Sequence, residues 1–382
     1  MKIKNISSFS LFCFFLLFTL RQITLATPML YAQTVGTATW IVTIFVGILI
    51  GIIVYLLIKL YRSFYGQTLF DISYYIGGKI FYKINSFIYF IVFLSITAIF
   101  LKEIAEAIKL LLFNTTPLLY IELFYVVAML IGSFIGLEGI IRASGYLTPI
   151  CFVILITILL LSTPFYNTGN LFPILGNGVK DIAIGSITLL SSYLGVLIIM
   201  FTIPHIDNIK IAKKSVISYL IFAFISVLFT VVALNLVFGF PYTENNLFSF
   251  YELANMTNIN KFFQHSEAIY LFSILVLGIA FLVSLFYFTT YCFSSLVLAP
   301  SKVDMLRKEN NNYVPLTRSK FISNVFLILL TLFLCNLPTN IFETFMYKEY
   351  INYYIVLPFV FAYPIILLII ANIKNHFIRR SK

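Results

Sequence analysis

Charged side chains within long apolar segments are the residues of this sequence that could do chemistry. Lys102, Glu106 and Lys109 lie four and three residues apart in the apolar stretch 84–112, which places them on one face of a helix, whereas Glu103 is turned about 100° away. Because a charge at the centre of a bilayer costs roughly 2.5–3.5 kcal/mol on insertion scales, this face is expected to line a cavity or to pair internally. The spacing suits ion pairs of Glu106 with both lysines. The face is therefore expected to form a polar lining of the outer vestibule, a proton-linked pair, or an ion-pair set that neutralises itself.

Arg21 is a further intramembrane charge, and it lies close to a predicted interruption of its helix. Pro28 has no N–H for the carbonyl of Thr24, and its ring disfavours helical angles at the residue before it. We therefore predict that regular winding is lost across Thr24, Leu25 and Ala26. Unpaired backbone at membrane depth is tolerated only where it is buried in protein or lines a cavity, so the interruption predicts a small-molecule site, with a packing kink as the alternative. Arg21 then joins the charged network or meets a carboxylate of the bound molecule.

The composition defines the class of protein that positions these residues. The chain has 382 residues, of which 61% are hydrophobic and only 10% are charged, which excludes an ordinary soluble domain and fits an integral membrane protein. Ten apolar segments are long enough to be candidate spans. They cover approximately residues 7–31, 37–58, 84–112, 118–136, 146–163, 183–204, 215–238, 267–297, 321–338 and 352–373.

The distribution of lysine and arginine gives the orientation. With ten spans and a cytoplasmic N-terminus, most of the 25 basic residues fall in inner segments, and the outer segments hold only Lys180, Lys261 and Lys348. This bias satisfies the positive-inside rule and places both termini in the cytoplasm. It also explains the net charge of +11 through contact with anionic inner-leaflet lipids, without a nucleic-acid partner.

The orientation also predicts an internal symmetry. Span one runs outward and span six runs inward, as expected if a unit of five spans is repeated with inverted topology, and such transporter folds carry broken helices at equivalent positions. Span six should therefore be interrupted too, near Ser192 and Gly195, because glycine weakens a helix and serine can bond freed carbonyls. The predicted fold is an all-α integral membrane protein with ten transmembrane helices, a 5+5 inverted repeat and discontinuous helices 1 and 6.

Other patterns argue against enzymatic chemistry. The four cysteines fall within apolar segments without metal-site spacing, and the three histidines are far apart. The sequence contains no nucleotide-binding glycine loop, no nucleophile elbow and no paired catalytic carboxylates. We therefore predict neither an enzyme nor a metal or cofactor site. Two outer segments, 239–266 and 340–352, are amphipathic and are expected to cap the vestibule or to dock a partner protein.

Several short motifs, in order along the chain, resemble one family. Residues 170–178 read NLFPILGNG before span six, residues 136–142 read GLEGIIR, residues 262–268 read FFQHSEA before span eight, and Pro28 is followed by Trp40. These stretches resemble the "N-L-x-P-h-x-x-x-G", "G-x-E-x-h-x-R" and "F-h-x-R-h-E-A" patterns of the B-subunit family of spore germinant receptors. That family belongs to the amino acid–polyamine–cation transporter superfamily.

Three positions depart from the family pattern. His265 stands where arginine is frequent, Thr39 precedes Trp40 where an acidic residue is common, and Val196 occupies a position in the span-six break that is often polar. These departures favour a less polar pocket.

The resemblance implies a subunit of a nutrient-sensing complex in the inner membrane of the endospore. Such a subunit binds a small germinant, often an amino acid, and works with A- and C-type subunits. The resemblance implies a pocket that is formed by spans one, three, six and eight. Its expected residues are Thr24, Leu25, Ala26, Thr97, Leu101, Ser192, Gly195 and Tyr287. Two alternatives stay open: a proton-coupled amino-acid permease with Lys102 and Glu106 in the proton path, and a partner-binding scaffold with a vestigial pocket.

Overall fold

The regular elements of the described residues are helices. The computed structural model describes residues 6–25, 27–257, 266–298 and 318–380. In chain order the helices are α1 (Ser8–Ile23), α2 (Thr27–Val35), α3 (Thr39–Tyr61), α4 (Leu69–Leu111), α5 (Leu118–Leu161), α6 (Val179–Thr188), α7 (Gly195–Thr202), α8 (Ile209–Phe238), α9 (Phe240–Thr243), α10 (Ser249–Met256), α11 (Ser266–Val297), α12 (Arg318–Cys335), α13 (Ile341–Ile351) and α14 (Tyr363–Arg380). The all-helical class predicted from the sequence is confirmed.

Six helical stretches in the described part of the chain are long and apolar enough to cross a membrane by themselves. A seventh is obtained when the bent pair Val179–Tyr193 and Gly195–His205 is taken as one span, and Ser8–Ile23 and Lys320–Cys335 are shorter apolar helices. The protein is therefore an integral, multi-pass membrane protein. The count of ten crossings and the inverted repeat stay predictions.

Glycines in left-handed conformation divide the two longest elements. Gly136 has φ 81° within α5, and Gly78 has φ 70° within α4. Because residues other than glycine rarely adopt such positive φ angles, the regular helical conformation is interrupted at both points. In α5 this divides the helix into residues 118–135 and 137–161.

The first span is interrupted where the sequence predicted. The α1 helix ends at Ile23, Thr24 follows as its C-terminal cap, and α2 begins at Thr27. Ala26 lies outside the described residues. Pro28 falls in the first turn of α2, where a missing N–H costs no helical hydrogen bond. The proline therefore starts the second half-helix instead of kinking a continuous one.

The sixth span is interrupted as well. Regular α6 ends at Thr188, a 3₁₀ segment covers Leu189–Tyr193, and α7 begins at Gly195. The two halves of this span differ in direction by 49°. The second predicted interruption is therefore present.

Close packing joins α1 to its neighbours. Phe14 and Phe18 of α1 pack edge to face at 5.8 Å between ring centroids, and Phe18 lies 5.1 Å from the ring of Phe281 in α11. A side chain at Gly195 would approach the Tyr219 hydroxyl to 2.5 Å and the Phe15 carbonyl to 3.0 Å. The α7 helix can therefore approach α1 and α8 closely because position 195 carries no side chain.

The two amphipathic segments are helical: α10 is a short helix, whereas α13 continues through the π-helical residues Asn352–Ala362 into α14. In α10 the side chains of Phe250 and Leu253 are buried, and Phe250 stacks on Tyr270 of α11 with 5.3 Å between centroids. In α13 the buried side chains include Phe345 and Lys348. The described residues of segment 239–266 thus pack on the membrane helices, and residues 258–265 of that segment lie outside the described part.

Candidate functional site

The interrupted turn of the first span is bonded to a distant helix. The Thr24 hydroxyl donates to the Arg21 carbonyl at 2.9 Å, and the Thr24 carbonyl accepts a hydrogen bond from the Tyr270 hydroxyl of α11. Leu25, the next residue, is buried. The break at the end of α1 is therefore enclosed by protein, the condition under which irregular backbone is tolerated in a membrane.

Arg21 lies one turn before the break and is completely buried. Its Nη2 atom is 3.6 Å from Glu103 Oε2, and its guanidinium carbon is 5.7 Å from the ring centroids of Phe100 and Phe281. Among the described residues, Nε, Nη1 and Nη2 of Arg21 have no hydrogen-bond partner. The guanidinium is held by charge and by aromatic faces, and its donors are left without acceptors.

Glu103 is the carboxylate at the centre of this cluster. Its Oε1 accepts a hydrogen bond from Lys348 Nζ at 2.8 Å, while its Oε2 faces Arg21. Lys348 is buried, and its Nζ lies 4.9 Å from the centroid of the Phe100 ring. Glu103 thereby joins α1, α4 and α13 through two cations. We call Arg21, Glu103 and Lys348 the charged triad.

The sequence reasoning missed two members of the triad. Glu103 is turned away from the predicted charged face of α4, and that orientation directs it to α1 and α13. Lys348 was assigned to an outer segment. Its spacing of three residues from Phe345 gave a usable signal, since the two share a helix face that is buried against α4.

A second buried ion pair lies beside the triad. Lys102 Nζ is 3.5 Å from Glu122 Oε1 of α5 and 3.3 Å from Asn336 Oδ1. The Asn336 amide in turn donates to Glu122 Oε2 at 3.1 Å. Lys102 therefore takes its partners from other helices, and the predicted pair with Glu106 is not formed in the described structure.

Glu106 and Lys109 also differ from the prediction. Glu106 is buried and its Oε2 accepts a hydrogen bond from the Thr344 hydroxyl of α13 at 2.9 Å. Lys109 is half-buried in the last turn of α4, and in the described structure it forms no ion pair with Glu106. Side chains on facing helices therefore take the place of the expected partner one turn away on α4.

Two predicted pocket residues of α4 lie at the packed centre of the molecule. Thr97 donates to the Phe93 carbonyl at 2.6 Å, and its hydroxyl lies 3.2 Å from that of Thr289 in α11. Leu101 is fully buried. Since Phe100 contacts the Arg21 guanidinium, Leu101 lies at nearly the same level along α4 as the charged triad.

The remaining predicted residues lie on different sides of this centre. Ser192 is buried in the 3₁₀ segment near the Tyr31 hydroxyl of α2, and Gly195 packs on α1 and α8. Tyr287 lies against the backbone of Leu137 in α5. It is seventeen residues beyond Tyr270, about 25 Å along α11 from the level of Thr24. The structure thus groups Thr24, Leu25 and Leu101 near Arg21, and it places Tyr287 away from them.

By its architecture, the protein belongs to the class of transporter-like membrane proteins that contain two interrupted helices. The fold is similar to that of a Na⁺-coupled sialic acid symporter solved in a substrate-bound outward-open state, with a TM-score of 0.61 and 12% sequence identity, covering 96% of this chain and 79% of that one. It is also similar to Mhp1, a nucleobase–cation-symport-1 family transporter solved in a closed conformation with bromovinylhydantoin bound, with a TM-score of 0.62 and 12% identity over 94% of this chain and 78% of that one. At this identity the similarity establishes the fold alone.

The sequence comparison identifies the family. A family profile described as spore germination protein matches residues 5–306. The chain therefore belongs to the spore germination protein family, as its motifs predicted.

Two proteins of Bacillus subtilis (strain 168) are relatives. Spore germination protein YndE is 25% identical over 185 residues, which are 48% of this chain and 51% of that protein. Spore germination protein A2 is 28% identical over 122 residues, which are 31% of this chain and 32% of that protein. The matched region thus spans about half of the first relative and about a third of the second.

Proposed function

We propose that this chain is the membrane subunit of a nutrient germinant receptor. It binds a small germinant of the amino-acid class in a transporter-like pocket and triggers spore germination together with A- and C-type subunits. The observation that carries this proposal is the joint interruption of the first span after Ile23 and of the sixth span before Gly195, in a chain of the spore germination family. We further propose that the receptor lies in the inner membrane of the endospore, with both termini of this chain in the cytoplasm.

The pocket is proposed to lie between the two interruptions. Thr24 and Leu25 border it from the first span, Leu101 and Thr97 from α4, and Ser192 from the sixth span, all of them buried. Backbone groups released by a broken helix can bond a small polar solute, and the half-helix termini add favourable dipoles. The apolar neighbours Phe100 and Phe281 suit the side chain of an amino acid.

Ligand binding is proposed to act through the angle between the two halves of a broken span. A ligand shifts a conformational equilibrium only by its difference in affinity for the two states. A solute that contacts α1 and the 3₁₀ segment at once favours the state in which they are close. That change passes to the partner subunits through the helices that flank the pocket.

Germination of spores carrying substituted chains tests the proposal. Leu101→Val and Ser192→Ala should change which amino acids trigger germination, or the concentration required, because they alter the proposed pocket wall. Leu368→Val is the matched control, since Leu368 is a fully buried leucine of α14, a helix that the proposed pocket does not include. If spores with either pocket variant respond to every nutrient as spores with the unsubstituted chain do, the sensor function is contradicted.

The second candidate function is a proton-coupled amino-acid permease. It is favoured by the buried Glu106 carboxylate, whose hydrogen bond comes from the neutral hydroxyl of Thr344 and which can therefore take up a proton without breaking an ion pair. Uptake of labelled amino acids into proteoliposomes, driven by an inward proton gradient, would support the permease. Binding without uptake supports the sensor, and germination that needs the chain although it binds no nutrient supports a scaffold with a vestigial pocket.

A further inference from the structure

The Arg21 guanidinium has more donors than the described protein can satisfy. Arginine carries five N–H donors, and buried donors are almost always bonded because an unmade bond leaves the desolvation cost uncompensated. Arg21 is fully buried, and its three nitrogens have no hydrogen-bond partner among the described residues. Such a cation is the kind of group that a buried anion would bind.

Glu103 neutralises Arg21 without bonding it well. The distance of 3.6 Å from Nη2 to Oε2 exceeds the 2.7–2.9 Å that is typical of a charge-assisted hydrogen bond. The better bond of Glu103, at 2.8 Å, goes to Lys348. One carboxylate therefore serves two cations, and the triad by itself has an excess of one positive charge.

The surroundings of Arg21 contain a second unused donor. The Tyr125 hydroxyl of α5 is buried and has no hydrogen-bond partner in the described structure, and it lies beside α11 one turn from Phe281, whose ring the Arg21 guanidinium contacts. Gly278 of α11 lies beside it: a side chain there would approach the Tyr125 hydroxyl to 3.4 Å. The absence of a side chain at position 278 leaves space at this hydroxyl. Arg21 and Tyr125 thus both bring donors without acceptors to the part of α11 that contains Gly278 and Phe281.

The nearby carboxylates are already engaged. Glu122 is bonded to Lys102 and Asn336, and Glu106 accepts from Thr344. Neither replaces Glu103 as a partner of Arg21. The protein therefore supplies one weakly bonded carboxylate oxygen to this guanidinium.

We propose that Arg21 binds the carboxylate of the germinant, with the Tyr125 hydroxyl as a second donor and Glu103 Oε2 as the group it displaces. This inference rests on the proposed sensor function and names the ligand class as a small carboxylate with an apolar remainder against Phe100 and Phe281. When the ligand pairs with Arg21, Glu103 stays paired with Lys348, so the two cations face two carboxylates. The planar fork of arginine suits a bidentate bond to a carboxylate.

The proposal predicts opposite changes in ligand affinity for two substitutions in the charged triad. Arg21→Gln removes the cation that binds the ligand but leaves Glu103 paired with Lys348. The two charges that remain in the triad therefore cancel. Glu103→Gln removes the competing carboxylate, so a ligand carboxylate should bind more tightly. A purely structural role for the triad would weaken binding in both variants. Arg21→Lys keeps the charge but loses the fork, and it should retain an intermediate affinity.

The test measures binding to the full chain in lipid nanodiscs by calorimetry. The probes are the twenty amino acids, each compared with its own carboxamide. In the unsubstituted chain, the amino acids that bind should do so at least about tenfold more tightly than their carboxamides. Arg21→Gln should abolish this preference and Glu103→Gln should increase it. Thermal unfolding of each variant without ligand establishes that it is folded.

The outcomes separate this inference from the function on which it rests. Equal binding of an amino acid and its carboxamide to the unsubstituted chain, or an unchanged preference in Arg21→Gln, would overturn the role of Arg21 while leaving the sensor in place. If Arg21→Gln does not fold, the test uses Glu103→Gln alone. A Glu103→Gln chain that binds amino acids more weakly than the unsubstituted chain would also overturn the role of Arg21. If none of the amino acids binds the unsubstituted chain, the sensor function itself fails and this inference fails with it.

Discussion

The Tyr270 hydroxyl donates a hydrogen bond to the Thr24 carbonyl, the group that a proline at position 28 deprives of its helical donor. In a continuous helix the N–H of residue 28 would bond that carbonyl. A side chain from α11 takes its place. The interruption of the first span is thus coupled to α11, and α11 is in turn covered by α10 through the stack of Phe250 on Tyr270.

Replacing Tyr270 tests this coupling. Tyr270→Phe retains the stack on Phe250 but leaves the Thr24 carbonyl without its hydrogen bond. The free energy of unfolding should therefore fall by about 1–3 kcal/mol. The germinant concentration for half-maximal germination should also change, because the broken turn loses its anchor. Tyr146→Phe is the matched control, since Tyr146 is exposed on α5. Equal thermal stability of the two variants in detergent would contradict the coupling.

The close approach of α7 to α1 predicts a second effect. Gly195→Ala places a methyl group within 2.5 Å of the Tyr219 hydroxyl and 3.0 Å of the Phe15 carbonyl, so it should destabilise the protein by about 1–3 kcal/mol. Gly51→Ala is the control, because no atom lies within 4 Å of a side chain built there. The measurement is thermal unfolding, and similar losses at positions 51 and 195 would refute the packing argument.

The two helix interruptions could be predicted from the sequence because their causes are local or topological. Pro28 acts on its own helix, and the interruption near Gly195 followed from the charge bias and the assumed repeat. The exact form of the first break needed the structure: proline starts α2 instead of bending a single helix. Sequence spacing does not decide between these outcomes, since both follow from the same missing N–H.

The pairing of the buried charges could not be predicted from one helix. The face containing Lys102 and Glu106 was identified correctly as buried, but their partners Glu122 and Thr344 come from α5 and α13. Glu103 was set aside because it lies off that face, although a residue turned away from one neighbour faces another. Such assignments depend on which helices are adjacent, and the spacing within one segment carries no information about that.

The charged triad predicts that Lys348 is essential for the packing of α13. Lys348→Met leaves one carboxylate oxygen of Glu103 without its hydrogen bond, while Arg21 still provides a counter-charge. The variant should lose about 3 kcal/mol of stability, at the lower end of the cost of breaking a buried pair. Lys59→Met, at an exposed position of α3, is the control and should be nearly neutral. Thermal unfolding compares them, and a neutral Lys348→Met would show that the pair does not stabilise α13.

A final prediction distinguishes two buried glutamates by their partners. Glu122→Gln removes the counter-charge of Lys102, so a buried ammonium keeps only the amide oxygen of Asn336, and stability should fall by about 3–5 kcal/mol. Glu106→Gln retains an oxygen acceptor for the Thr344 hydroxyl and breaks no ion pair, so it should change stability by less than about 1 kcal/mol. Each variant is the control for the other in size and charge, and both are compared by thermal unfolding and by germination of spores. If Glu106→Gln is as damaging as Glu122→Gln in unfolding, the assignment of partners is wrong. If it is stable but abolishes proton-driven uptake, the permease function is supported over the sensor.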